Sequence, residues 1–243
     1  MRYWLGIGWV SISLSMNVLA VEIGPLPAQA GWDGLSLVSH LGRGWARQSW
    51  HYNSYNYFNT INPELLGTNF NFNAQNFIGG GSLVWHHQAT PAWSMGIEGS
   101  FSGARLNPEI GRSFYVTGRY TPSMNQMGAI KGRVGYSYDH WLPYVSGGWT
   151  SGNSSSTLAS APYSVLGTTT PWNNGWIAGA GIEYRATSRL ALGVSYDYWS
   201  MALNNQSMLC SNCGVGVGNG TPLLNGDFKT QAVMARVTYW ANQ

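Results

Sequence analysis

Bulky apolar side chains recur at every second residue through most of this chain, and the charges fall on the opposite parity. Between residues 176 and 185 one parity holds Trp176, Ala178, Ala180, Ile182 and Tyr184, while the other holds Ile177, Gly179, Gly181, Glu183 and Arg185. Leu190, Leu192, Val194, Tyr196 and Tyr198 oppose Ala191, Gly193, Ser195, Asp197 and Trp199. Val233, Ala235, Val237 and Tyr239 oppose Met234, Arg236 and Thr238. Trp93, Met95, Ile97 and Phe101 oppose Ser94, Glu98, Ser100 and Ser102, and Ile130, Val134, Tyr136 and Tyr138 oppose Lys131, Arg133, Ser137 and Asp139. Successive side chains of a strand point to opposite faces, so each segment reads as a strand with one apolar face and one small or charged face. A soluble barrel or sandwich also alternates, but it packs large apolar side chains inside and turns its charges to water. In each of these five segments the bulky face carries no charge, which fits lipid outside and a charged interior.

Three further segments follow the same rule less strongly. Leu35, Leu37 and Leu41 share a parity in 33–45, as do Phe77, Leu83 and Trp85 in 76–87, and Val145 and Trp149 are assigned to the outer face of 143–151. The sequence therefore predicts eight strands. Their connections alternate in length: tight turns at 89–92, 140–142 and 186–188, and long polar stretches at 46–75, 104–126, 152–174 and 202–228. An even number of antiparallel strands with short turns at one end and long loops at the other is the pattern of an outer-membrane β-barrel. Only closure lets strands cross a bilayer with every backbone group paired.

Composition agrees. Charged residues are 9% of the chain, against about 25% in an ordinary soluble domain. With 13 Trp, 14 Tyr and 32 Gly the chain is aromatic and glycine-rich, unlike a disordered segment. No stretch past residue 20 approaches the ~20 apolar residues of a spanning helix. A formal charge of +3 is too small to imply a nucleic-acid partner.

Residues 1–20 read as a secretory signal peptide, with Arg2 as the positive end, an apolar stretch from Trp4 to Val18 and cleavage after Ala20. A second candidate cut follows Ala30. Residues 21–31 would be a periplasmic N-terminal segment and 32–243 the barrel.

Several motifs resemble the porin-family, OmpA-like outer-membrane barrels, including the outer-membrane immunogenic proteins. Trp32-Asp33-Gly34-Leu35 resembles the family opening, and Phe77-Ile78-Gly79-Gly80-Gly81 its second strand. Gly132-Arg133-Val134-Gly135-Tyr136, Pro143-Tyr144-Val145-Ser146-Gly147-Gly148 and the stretch from Gly175 to Tyr184 are similar to later family motifs, in the same order. The resemblance implies an eight-stranded barrel in the outer membrane of a Gram-negative bacterium and brings no catalytic motif. Family members usually end on an aromatic residue that resembles an assembly signal; here Tyr239-Trp240 is followed by Ala241-Asn242-Gln243. The chain stops there, so the peptidoglycan-binding domain of full-length relatives is not expected.

Eight strands leave an interior just wide enough for side chains to fill. By parity Glu98, Lys131, Arg133, Asp139, Glu183, Arg185, Asp197 and Arg236 face inward. Buried charges persist only when paired, so an interior ion-pair network is expected. It would plug the barrel, or, as the alternative, line a narrow channel for ions or small polar solutes. Cys210 and Cys213, the only cysteines, form a C-S-N-C pattern in the fourth long stretch. In an exported chain a loop-tightening disulfide is expected there, and zinc would lack two ligands.

His86 and His87 are adjacent, so on a strand they face opposite ways and cannot share a metal. Ser39 and His40 diverge likewise, and no G-x-S-x-G or nucleophile–base set stands out. No metal, cofactor or catalytic activity is expected. The reading is a monomeric, non-enzymatic barrel among outer-membrane lipid and lipopolysaccharide. Its Asn-, Tyr- and Ser-rich loops would meet extracellular or host ligands.

Overall fold

The computed structural model describes residues 31–54, 69–106, 112–115, 118–160, 164–169, 172–207 and 223–241. All regular structure among them is strand: β1 (Gly34–Ser54), β2 (Asn69–Gln88), β3 (Trp93–Leu106), β4 (Arg112–Tyr115), β5 (Gly118–Tyr136), β6 (Trp141–Ser160), β7 (Ser164–Thr169), β8 (Trp172–Arg185), β9 (Leu190–Ser207) and β10 (Leu223–Trp240). Eight of them form a ring in the order β5-β3-β2-β1-β10-β9-β8-β6, closed by pairing of β5 with β6. Every pairing is antiparallel. The eight-stranded barrel predicted from alternation is the observed fold. β4 and β7 stand outside the ring and pair only with the outer ends of β5 and β6.

The outward parity is as read from the sequence. Leu37, Leu83, Ile97, Ile130, Val145, Leu192 and Val237 are all exposed on the barrel exterior. This apolar band ends in aromatic rings at both levels. Trp85, Trp93, Tyr136, Trp141 and Tyr239 lie at the turn end, and Trp45, Phe77, Phe101, Trp149 and Trp176 at the other. Along a strand the two levels are eight residues apart, as from Trp85 to Phe77 or Trp93 to Phe101. At ~3.3 Å per residue and the usual tilt the two levels stand ~20 Å apart, within the ~25 Å apolar band of a barrel. Within a level the rings touch across strands, Trp93 with Tyr136 at 5.3 Å and Trp141 with Tyr184 at 4.8 Å between centroids.

The tight turns sit at one end. Asp139 adopts φ 54°, and Tyr138 and Trp141 exchange backbone hydrogen bonds around it. In the 186–189 turn, the Thr187 hydroxyl accepts from the amides of Arg189 and Leu190. The second turn thus falls at 139–140 rather than 140–142, and Leu142 is a buried residue of β6. Gly34 holds φ 102°, a conformation that L side chains rarely adopt. It brings the chain into β1 with Trp32 tucked under the barrel, against Trp240, Leu142 and Ala191.

The four long polar stretches differ from expectation. β1 runs to Ser54 and β2 begins at Asn69, and the described parts of the other three stretches are likewise strand. These strands of 14 to 21 residues exceed the ~9–11 needed to cross a bilayer. Their outer portions are polar because water replaces lipid there, which erased the alternation that marks a membrane strand. Backbone pairing continues regardless, with register shifts at Tyr52/Ser54, Gly103/Leu106, Met124/Gln126 and Leu224/Gly226, where bulges bend the rim.

Candidate functional site: the lumen

The turn-side half of the lumen holds a cluster of six charged side chains from five strands. Glu98 of β3 is its centre. Lys131 Nζ lies 3.2 Å from Glu98 Oε1 and Arg133 Nη1 lies 3.3 Å from Oε2. Arg236 approaches from β10 and donates through Nη1 and Nη2, at 3.2 and 3.1 Å, to the two oxygens of the same carboxylate. Arg133 also donates to Glu183 Oε1 at 2.9 Å, and Arg236 Nε lies 3.6 Å from that oxygen. Lys131 lies 3.6 Å from Asp197 Oδ1. Three carboxylates therefore face three cations, and none of the six side chains is more than 4% exposed. Bidentate guanidinium–carboxylate geometry adds direction to the attraction.

Glycine makes this crowding feasible. Arg236, Gly193 and Glu183 share one register row across β10, β9 and β8. A Cβ at Gly193 would stand 2.8 Å from Glu183 Cγ, so the two charged side chains meet over a strand that carries no side chain there. His40, Gly80 and Ser102 repeat the device on β1, β2 and β3, where His40 Nε2 and Ser102 Oγ are 2.8 Å apart.

Two of the eight charges assigned to the network behave differently. Asp139 is not in the lumen. β5 ends at Tyr136, parity no longer applies three residues beyond it, and the Asp139 side chain is 60% exposed beside His140 Nδ1 at 2.7 Å. Arg185 does face inward but lies below the cluster. Its guanidinium stacks 3.8 Å from the Trp240 ring centre and 4.7 Å from that of Trp32, and donates to the carbonyls of Ser188 and Gly31. It belongs to a plug at the turn end. His86 is buried nearby, 5.8 Å from the Trp240 ring, while His87 is exposed beside Asp33.

Some lumen residues escaped the sequence reading. Tyr144 lies under Arg133, with the guanidinium carbon 3.7 Å from the ring centre. Its parity opposite Val145 and Trp149 was the available signal. Above the charges the lumen is uncharged: Phe72, Gln48, Phe228 and Met201 follow one another in register on β2, β1, β10 and β9, all buried, alongside buried Thr230 and the hydrogen-bonded Asn173–Ser154 pair. Trp199, Met124, Met127 and Leu106 are buried as well. Aromatic and thioether side chains at inward parity read as ordinary alternation, so the division of the lumen into a charged and an uncharged half was not visible. Among the described residues no group of three His, Cys, Asp or Glu could hold a metal. Ser39 is exposed and His40 buried, on opposite faces. Cys210, Cys213, the segment 1–20 and most of 21–31 lie outside the described residues.

A family model described as an outer membrane protein beta-barrel domain matches residues 19–239. The chain belongs to this outer-membrane β-barrel family. The family places it in the outer membrane of Gram-negative bacteria, in keeping with the OmpA-like motifs. No curated protein matches it in sequence. Solved barrels of similar form include Ail, the attachment invasion locus protein of Yersinia pestis, with 13% identity over 84% of this chain and 99% of Ail, at TM-score 0.34. Neisserial surface protein A shares 12% identity over 85% of this chain and 99% of its own, at TM-score 0.36. OprG from Pseudomonas aeruginosa shares 8% over 88% and 98%, at TM-score 0.43. The lumen cluster described above is thus the interior of an outer-membrane barrel.

Proposed function

We propose that this family member is a closed, non-enzymatic scaffold that displays its extracellular segments for adhesion or host interaction. The observation that carries this reading is the bidentate contact of Arg236 with Glu98 inside a balanced, nearly solvent-free cluster. A conducting pore needs a continuous watery path, whereas here charges neutralise one another across the lumen and an uncharged layer lies above them. Open channels belong to barrels of about 16 strands or more.

Display falls to the segments beyond the outer girdle. Residues 55–68 and 208–222 are rich in Asn and Gly, include Tyr55 and Tyr57, and carry a single charge, Glu64, a composition that supplies contact area and hydrogen bonds. The remaining parts of the reading are a cleaved leader ending at Ala20, a Cys210–Cys213 disulfide, a monomeric state, and outer-membrane lipid and lipopolysaccharide as surroundings. The test is single-channel recording of the refolded protein in a planar bilayer, with heat-shifted gel mobility as the folding control. Folded and silent is the expected result. Stepwise conductance altered by Arg133→Ala would replace this reading with a small channel. Loss of cell-surface binding on deletion of 55–68 or 208–222 is expected, and unchanged binding would refute the display role.

A further inference from the structure

We propose that Arg47 and Lys229 form a binding site for the phosphate groups of an outer-leaflet glycolipid on the outer wall of the barrel. Arg47 and Lys229 are direct cross-strand partners on the seam between β1 and β10, and both side chains are exposed on the exterior. Like charges directly opposite on one sheet face repel and cost stability. Neither makes an ion pair with a described residue; Asp227, the next outward-facing residue on β10, is exposed on the same face but within 4 Å of neither cation's nitrogens. A juxtaposed pair of cations without a counter-ion is what an anion would bridge.

The place fits that anion. The two cations line a groove whose floor and walls include Trp45, Gln75, Tyr198 and Gln231. Trp45 belongs to the outer aromatic girdle, the level at which amphipathic rings meet headgroups. Arg47 stands two residues farther out, roughly 5 Å higher along a tilted strand, where lipid phosphates lie. Arg43, one outward step below Trp45 and also exposed, can extend its long side chain to the same level. Among the strand residues whose side-chain exposure is described, these three are the outward-facing cations, and all sit on this one seam. Amide groups of Gln75 and Gln231 beside them suit sugar hydroxyls, so the ligand is a phosphorylated sugar lipid. The inference is independent of whether the lumen conducts.

Native mass spectrometry of the detergent-refolded full chain tests it, with bisphosphorylated lipid A, dephosphorylated lipid A and phosphatidylglycerol as probes. Bisphosphorylated lipid A is expected to bind about tenfold more tightly than either alternative, the effect of one or two charge-assisted hydrogen bonds. The R47Q/K229Q variant should lose that preference, and R47K/K229R should keep it. The proposal is overturned by equal binding of the dephosphorylated form, by phosphatidylglycerol binding as tightly as lipid A, or by an unchanged preference in folded R47Q/K229Q. Should R47Q/K229Q fail to refold, salt on the wild-type chain decides. A preference that fades as salt rises supports the site, and a salt-independent one overturns it.

Discussion

Arg236 grips both oxygens of Glu98 across the lumen, linking residues 138 positions apart on β10 and β3. The two strands are not neighbours; β1 and β2 lie between them. The contact therefore ties opposite walls together, and forms only when the ring is closed.

Glu98→Gln removes the charge that Lys131, Arg133 and Arg236 share. Breaking a buried ion pair by deleting one partner costs about 3–5 kcal/mol, because the remaining charges stay buried without compensation. Urea unfolding in micelles, followed by tryptophan emission, should show a loss of that order. Adding Arg236→Met to Glu98→Gln should recover part of it, since Lys131–Asp197 and Arg133–Glu183 then remain as matched pairs. A single variant as stable as wild type would contradict the central role of Glu98.

Glycine positions on the two faces should respond oppositely to the same substitution. Gly193→Ala places a methyl group 2.8 Å from Glu183 Cγ, under the Arg236–Glu183 approach, and overpacking of this kind costs about 1–3 kcal/mol. Gly99 faces outward with nothing within 4 Å of an added Cβ. Gly99→Ala should leave stability unchanged or raise it slightly. Parallel unfolding curves for the pair make the comparison, and equal losses would be incompatible with it.

Arg185→Met keeps the apolar stem but removes the guanidinium from the Trp32 and Trp240 rings and from the carbonyls of Gly31 and Ser188. About 2 kcal/mol should be lost, the sum of a cation–π contact and charged hydrogen bonds. Amide hydrogen exchange at 32–36 should quicken, with the middle of the barrel protected as before. Uniform acceleration throughout would mean that Arg185 stabilises the whole barrel and is no local plug.

Removing the charge cluster alone should not open the barrel. In Glu98→Ala/Arg236→Ala the apolar layer of Phe72, Phe228, Met201 and Trp199 still fills the lumen above. Planar-bilayer recordings should stay silent until Trp199→Ala and Phe228→Ala are added. Conductance in the charge-truncated variant by itself would show that the apolar layer does not seal.

The outward face was legible because lipid imposes one requirement on most outward residues, and Leu37, Ile97 and Val237 obey it without reference to any neighbour. Six charged residues that meet in the lumen were named for the same reason: only the inward parity could hold them. Asp139 was misplaced because alternation says nothing about where a strand stops, and the left-handed turn beside His140 falls just past that point. The outer halves of β1, β2, β6 and β9 were hidden because polar strand and polar loop look alike in a sequence once water surrounds both.

Which lumen charges touch is a different kind of fact. Alternation along a single strand fixes face, and face alone decided the membrane, the barrel and the sign of its interior. Partnership across the lumen depends on closure and on the register of strands far apart in the chain. Only the tertiary structure could set Arg236 against Glu98, put Gly193 between Arg236 and Glu183, separate Arg185 into a stack with Trp32 and Trp240, and bring Arg47 face to face with Lys229.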